Sequence, residues 1–444
     1  MKAIAASLVL CSANRVEEDA AVLLDGKTVA GVIGNDRLPN LVSSGALESD
    51  DIIDRRGCLI MPGLVNAHMH QYGVLSHGIP PAHGVTGFES FLLDYWWPRV
   101  EDRVRKREVL VTSRATMAEM LRSGTTSFCD ILEAPLCEGD TLVEQGEQIE
   151  RAGMRAVVSL ESSERVDHDN GEACLGQNAE AARHFASREA GLVRGAICTH
   201  TTFTCPSKMI ARAAELAREC SCLYQFHLCE SRYELEWAET HLGKTPLQVY
   251  WDADALGPST LAAQCVKLGE GDLGLLASSG TRAAHLPISN CEVGGGFAPV
   301  PQMLRTGVAP GLGTDGYVND MFQVMRAAFL VHKAACETTA VMDSRQVFSL
   351  ATEAGAKAMG LSRVGSIEDG WAADLVTYDM RQQPTPINAE NVFDQLVVFG
   401  RAASVLDVWV AGRPLMEGGH LLTLDEERDK AELRECASGF WKGL

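Results

Sequence analysis

The chain has 444 residues, 46% hydrophobic and 22% charged, a balance that excludes a disordered chain, a collagen-like fibre and a small disulfide scaffold. Its 39 Lys plus Arg face 59 Asp plus Glu, a net charge of −20, which argues against nucleic acid or an anionic membrane surface as partner and leaves neutral or cationic small molecules open. The length fits three domains of roughly 150 residues, or one large barrel with a smaller companion.

Met1-Lys2 and the apolar run Ala3–Cys11 have the outline of a short export signal, but Arg15, Glu17, Glu18 and Asp19 follow at once, and the run reads as a first β-strand. Ala20–Leu24, ended by Asp25-Gly26, and Thr28–Ile33, ended by Gly34-Asn35, read as further short strands. From residue 59 the rhythm changes. Apolar runs Leu59–Asn66, Thr125–Asp130, Ala156–Glu161, Arg194–His200, Cys222–Leu228, Thr260–Val266, Thr281–Leu286 and Val308–Thr314 alternate with longer helical stretches. Those stretches include Arg105–Ser123, Leu142–Ala152, Ala179–Ala190, Ser207–Glu219, Tyr233–His241 and Asp272–Ser279. Eight such repeats predict an α/β fold, a distorted (β/α)₈ TIM barrel over residues 59–364. Beyond it, Asp374–Tyr378 and the hairpin Val405–Val410 to Arg413–Met416 share the texture of the N-terminus. Neither end can bury a core alone, so 1–58 and 365–425 are expected to combine into a small β-sandwich, with a helix in 426–444. The 14 cysteines include no Cys-x-x-Cys pair and read as reduced and mostly buried. No apolar run approaches the ~20 residues of a membrane helix, so a cytoplasmic protein is expected.

A barrel's reacting groups sit at the carboxyl ends of its strands. The first strand ends in His68-Met69-His70, and alternation sends both imidazoles to one face, where they can reach one metal. The fifth ends in Tyr224-Gln-Phe-His227-Leu-Cys-Glu230, and the eighth in Leu312-Gly-Thr-Asp315-Gly316. Each has an ordinary reading alone: solvated histidines, a core histidine bonded to backbone, an aspartate capping a helix. Their joint placement puts three imidazoles and a carboxylate on one barrel mouth.

The segments PGLVNAHMH, FHLCE, AHLPISN and GTDG, in this order and spacing, resemble the amidohydrolase superfamily over nearly the whole chain, in particular its cytosine/guanine deaminase and triazine hydrolase branch. The Trp96-Trp97 region, ESSERVDHDNGEACLGQNAEAARHF, GTDGYVNDMFQVMRAAFLVHK and PTPINAEN are similar to the SsnA-like aminohydrolases of that branch. The resemblance implies that His68, His70, His227 and Asp315 hold one divalent metal, with zinc the usual occupant and iron the alternative. No lysine closes strand four, at Cys198-Thr199-His200, of the sort that becomes a carbamylated bridge in two-metal relatives. A three-nitrogen, one-oxygen set leaves a position open to water, the catalytic pattern, and the ion lowers that water's pKa from 15.7 towards about 7.

The activity so implied is hydrolytic deamination of a nitrogen-rich heterocycle: a purine, pterin, pyrimidine or triazine. Asp315 would hold the water's proton, and Glu230 would protonate a ring nitrogen while the adjacent carbon is attacked and ammonia leaves. His200 matches a position where relatives contact substrate, and Gln71, Glu89, Trp96 and Glu161 are further candidates at the mouth. Trp96-Trp97 also reads as core, and His285 is expected behind the metal shell. One departure stands out. Strand six reads Ala263-Gln264-Cys265-Val266-Lys267 where most relatives carry a His-Cys-Val-His or His-Gly motif. Gln264 can donate and accept hydrogen bonds but cannot titrate near neutral pH, and it is expected within reach of the metal-bound water. It keeps two rivals open: ring-opening of a cyclic amide or amidine (or loss of another leaving group), and a catalytically silent metal-and-ligand binder. Retained Glu230 and Asp315 weigh against the second. The resemblance also implies a homodimer or higher homo-oligomer.

Overall fold

The computed structural model describes residues 1–79, 84–188 and 191–442. Apolar runs punctuated by turn residues make the terminal sheet. Lys2–Ser12 is a strand, and the chain turns at Ala13-Asn14 into its antiparallel partner Arg15–Asp25. Gly26, at φ +56°, then turns it into Thr28–Gly34. Ile52–Pro62 lies parallel to the first strand on its other side, and Leu375–Asp379 pairs antiparallel with Ile52–Pro62. Val405–Val410, Arg413–Glu417 and His420–Leu421 complete one eight-stranded sheet drawn from both ends of the chain. Val22, Leu24 and Val29 from one half share an apolar cluster with Ile367, Leu375 and Trp409 from the other, so two layers pack face to face within one hydrogen-bonded sheet.

The barrel strands are Leu64–Met69, Thr125–Leu132, Arg155–Leu160, Val193–Gly195 continued by Ile197–Cys198, Tyr224–Leu228, Thr260–Gln264, Arg282–His285 and Gly311–Leu312. They pair in parallel as two arcs, and bridges of Met69 with Asp315 and of Ser162 with Thr199 close the ring. The first, second, fifth and sixth strands are buried at every residue, as parallel strands under a helical layer must be. The covering helices present apolar stripes at helical spacing, such as Met209, Ile210, Ala213, Ala214 and Ala217 in Ser207–Cys220.

Three expectations shift. The run read as Leu59–Asn66 is two elements, because Leu59–Pro62 ends the terminal sheet and a new strand begins after Gly63. Both halves are apolar, so periodicity could not separate them. The helix expected from Ala179 begins at His168, where the Asp167 side chain accepts from the Asn170 N–H and caps it, and it ends at Ala186. The last two residues of the expected Ala179–Ala190 lie outside the described residues. The eighth strand shrinks to Gly311–Leu312, and the next residues run irregularly towards the mouth. The C-terminal helix Glu426–Phe440 packs on Lys106–Arg122, with Arg114 Nε 2.9 Å from Asp429 Oδ1. Just past it, Trp441 Nε1 donates to the Leu75 carbonyl at 2.7 Å and holds the loop that leaves the first barrel strand.

Candidate active site

Strand alternation brings His68 and His70 together, their rings 4.9 Å apart and edge to face. His227, from the fifth strand, lies 5.0 Å from His68 and 5.4 Å from His70. One nitrogen from each of these buried imidazoles falls within 4.8 Å of the others. His70 Nδ1 faces the Ile131 carbonyl at 2.8 Å, so that nitrogen carries the proton and Nε2 is left to face Asp315 Oδ1 at 3.1 Å. Gly313 makes this approach possible, because a Cβ there would lie 2.5 Å from the His68 carbonyl oxygen. Asp315 itself takes φ +60°, and Cys229, Gln264 and Cys265 at neighbouring strand ends also have positive φ. Backbone held in that region by non-glycine residues clusters at functional sites.

Electrostatics separates the three histidines. Burial and the other two imidazoles hold His68 well below its ordinary pKa, and burial lowers His227 as well. Burial also opposes charge on His70, but Glu133 and Asp315 overcome it and lift its pKa to about 10, so a cation taken at Nε2 would replace a proton there. Neither ring nitrogen of fully buried His68 has a hydrogen-bond partner among the described residues, and neither does His227 Nδ1. Buried polar atoms are seldom left this way. Three imidazoles and a carboxylate fit one divalent cation, and the set could hold one metal ion.

A cavity of about 590 Å³ opens over this set, lined by His70, His227, Asp315, Glu230, Gln264, His200 and Trp96 among others. Burial, with the Asp315 charge behind it, pushes the Glu230 carboxyl well above the usual carboxylate range. Gln264 Nε2 donates to Asp315 Oδ2 at 2.8 Å, and Asn290 Nδ2 donates to Gln264 Oε1 at 2.5 Å. Gln264 therefore both lines the cavity and holds Asp315. His200 Nδ1 bonds Thr204 Oγ1 at 2.8 Å, with its ring 5.6 Å from that of His227. Trp96 stands in the cavity wall and donates from Nε1 to the Tyr72 hydroxyl at 3.2 Å. Trp97 turns aside, under the Arg165 guanidinium.

Four candidates lie elsewhere than expected. Gln71 turns away from the mouth: its amide donates to Thr116 Oγ1 and accepts from Gln145 within a buried polar cluster. Glu89 is exposed and borders a neighbouring groove with Trp97, Phe203, Tyr233 and Trp237. Glu161 is buried behind the cavity, 3.6 Å from His227 Nδ1 and 3.9 Å from His200 Nδ1. His285 pairs with His332, Nε2 to Nε2 at 2.9 Å, joining the seventh strand to the helix Met321–Ala335 rather than backing the metal set.

Sequence reasoning passed over Glu133. It follows the second strand, accepts from the Tyr72 hydroxyl and lies 3.7 Å from His70 Nδ1 and 3.8 Å from His227 Nε2. Burial works against its charge, yet His70 and His227 hold it at about 2, while burial and Glu133 push the neighbouring Glu161 up. The same signal that marked Asp315, an acid closing an apolar strand, was present at Glu133. Glu101 was also missed; it lines the cavity and pairs with Arg165 at 2.7 Å.

The sequence profile described as "Amidohydrolase family" matches residues 59–415. The chain is 30% identical over 437 residues to a 5-methylthioadenosine/S-adenosylhomocysteine deaminase of Bacillus cytotoxicus, covering 96% of each chain. It is 32% identical over 394 residues to a 5'-deoxyadenosine deaminase of Methanosarcina mazei, covering 88% of each. Among solved structures it is similar to an adenosine deaminase from Xanthomonas campestris with bound zinc, with a TM-score of 0.88 and 25% identity over 99% of this chain and 98% of that one.

Proposed function

The chain belongs to the amidohydrolase family, and from that footing we propose that it is a metal-dependent hydrolytic deaminase of a nitrogen-rich heterocycle, with an adenine-type purine the first choice. The observation that carries this reading is the meeting, at one cavity, of the His68, His70, His227 and Asp315 set with a half-buried Glu230. The relatives' names, deaminases of adenosine-type compounds, support the purine.

The ion, zinc by preference and iron as the alternative, supplies an activated water at neutral pH and polarises the reacting centre. The rest falls to the chain. Asp315 Oδ1 faces the ligand set and is placed to take the water's proton, while its Oδ2 is held by Gln264 and by Ser289 Oγ at 2.5 Å. Glu230, whose pKa burial and Asp315 raise, would give its proton to a ring nitrogen so that the adjacent carbon becomes electrophilic, and the proton taken by Asp315 would pass to the amino group, which then leaves as ammonia. His200 and Trp96 flank the ring from the cavity wall. In this reading the partner is a small heterocycle rather than nucleic acid, and the protein is cytoplasmic and homo-oligomeric.

Glu230→Gln tests the assignment. It is expected to keep its metal and to release ammonia roughly 10²–10⁴-fold more slowly, the usual range for a general acid–base group. Normal turnover would remove Glu230 from the mechanism, and loss of metal would make it a ligand. A second reading draws on Gln264, whose amide is tied to Asp315 and carries no titratable proton: hydrolysis that opens a cyclic amide or amidine. A ring-opened product without ammonia, from the same substrate panel, would favour it.

A further inference from the structure

The cavity has a chemical bias that deamination itself does not use. Its described lining includes Glu101, Glu133, Glu230, Glu292 and Asp315, and no lysine or arginine. Four of these acids already have work or partners: Asp315 and Glu230 in the reaction, Glu133 with Tyr72 and the histidines, Glu101 with Arg165. Glu292 is different. It ends the helix Pro287–Glu292 after the seventh strand, is exposed at the rim, and makes no ion pair or side-chain hydrogen bond among the described residues.

A second feature lies beside it. Phe91, Tyr95 and Trp96 form an aromatic wall, with Phe91 stacked on Trp96 at 5.5 Å and 5.7 Å from Tyr95, and Tyr317 stands 41% exposed on the strand-eight loop. Glu292 lines the same cavity as Tyr95, Trp96 and Asp315; its charge helps to raise the pKa of Tyr95, and burial together with the Asp315 charge raises that of Glu292 itself. An unpaired carboxylate in the same cavity as an aromatic wall attracts an organic cation by charge and by the ring quadrupole, and the same surface repels a phosphate.

We infer that this rim is a cation subsite: the substrate carries a protonated amine on the end away from the reacting C–N bond, received by Glu292 and the Tyr95–Trp96 wall, and phosphorylated forms are excluded. This rests on the deaminase reading, which fixes the reacting end at the metal.

Three probes that differ only at the 5' position test it: adenosine, 5'-amino-5'-deoxyadenosine and adenosine 5'-monophosphate. Ammonia release is measured with the metal-loaded protein, and binding by calorimetry with metal-loaded Glu230→Gln. The amine is expected to exceed adenosine about tenfold in kcat/KM and in affinity, and the monophosphate to fall at least as far below. Glu292→Gln is expected to bring the amine-to-adenosine ratio close to one, and raised salt to shrink it in the unaltered protein. A monophosphate handled as well as adenosine, a ratio unmoved by Glu292→Gln, or no binding by any probe would overturn the subsite. Binding in the expected order without ammonia from any probe would leave the subsite standing and refute the deaminase reading. Ammonia from all three without charge order would do the reverse.

Discussion

At the scale of single residues, Asp315 is the most tightly constrained group in the site. Oδ2 accepts from Gln264 and Ser289, and Oδ1 accepts the Gly316 N–H at 2.8 Å while facing His70. The orientation of the Gln264 amide is forced, because Asn290 donates to its oxygen and a flipped amide would turn that oxygen onto a carboxylate. Gln264 lines the cavity and is bonded to Asp315, the acid that faces His70. Gln264→Ala removes one of two donors on Oδ2 and is expected to lower turnover about 10–100-fold with metal retained, at or below the range for a lost oxyanion-hole donor. Steady-state rates with parallel metal analysis check this, and full activity would sever Gln264 from the chemistry. The gathering of His68, His70, His227 and Asp315 was legible in the sequence because each is a polar group at or near the end of an apolar strand, where burial demands a partner. Gln71 misled for a local reason: the strand ends at Met69 and the chain enters a tight helical turn at Gln71, so alternation no longer sets its direction.

Among elements, the seventh strand and the helix Met321–Ala335 are joined by the buried His285–His332 pair, where one imidazole donates and the other accepts. Burial lowers His332 to about 4 and holds His285 well below 6.5. The folded protein therefore refuses protons that the unfolded chain binds between pH 6.5 and 4. The stability this pair supports is complete above pH 6.5 and is lost as pH falls towards 4, by an amount on the order of 2–3 kcal/mol for His332. Urea unfolding at pH 7 and pH 5, with zinc held constant, should show a smaller drop in His332→Asn than in the unaltered protein. Equal drops would assign the acid sensitivity elsewhere. The strand–helix alternation was readable because period 2 and period 3.6 differ. The split at Gly63 was not, since apolar runs on both sides look alike and only the three-dimensional path sends one to the terminal sheet and the other to the barrel. His332 carried no local signal, because its partner lies 47 residues away.

Across the whole molecule, the barrel supplies the proposed ligands from strands far apart in sequence, and its closure between strands one and eight seats Asp315 beside His70. On the proposed assignment, folding and assembly of the metal set are thereby one process. The terminal sheet is built from both ends of the chain, and among the described residues no helix is long and apolar enough to cross a membrane. The architecture and the residues gathered at the mouth were written in strand-end positions, whereas the shape of the cavity wall was not. Glu101, Arg165 and Trp97 meet only through an irregular helical stretch without a period to read. The most direct measurement of the central claim is ammonia release from adenosine by protein stripped of metal and then titrated with zinc. The account predicts no turnover in the stripped protein and full recovery at about one equivalent per chain, with His68→Ala neither binding the ion nor recovering. Turnover undiminished by stripping, or recovery only at two equivalents, would contradict it.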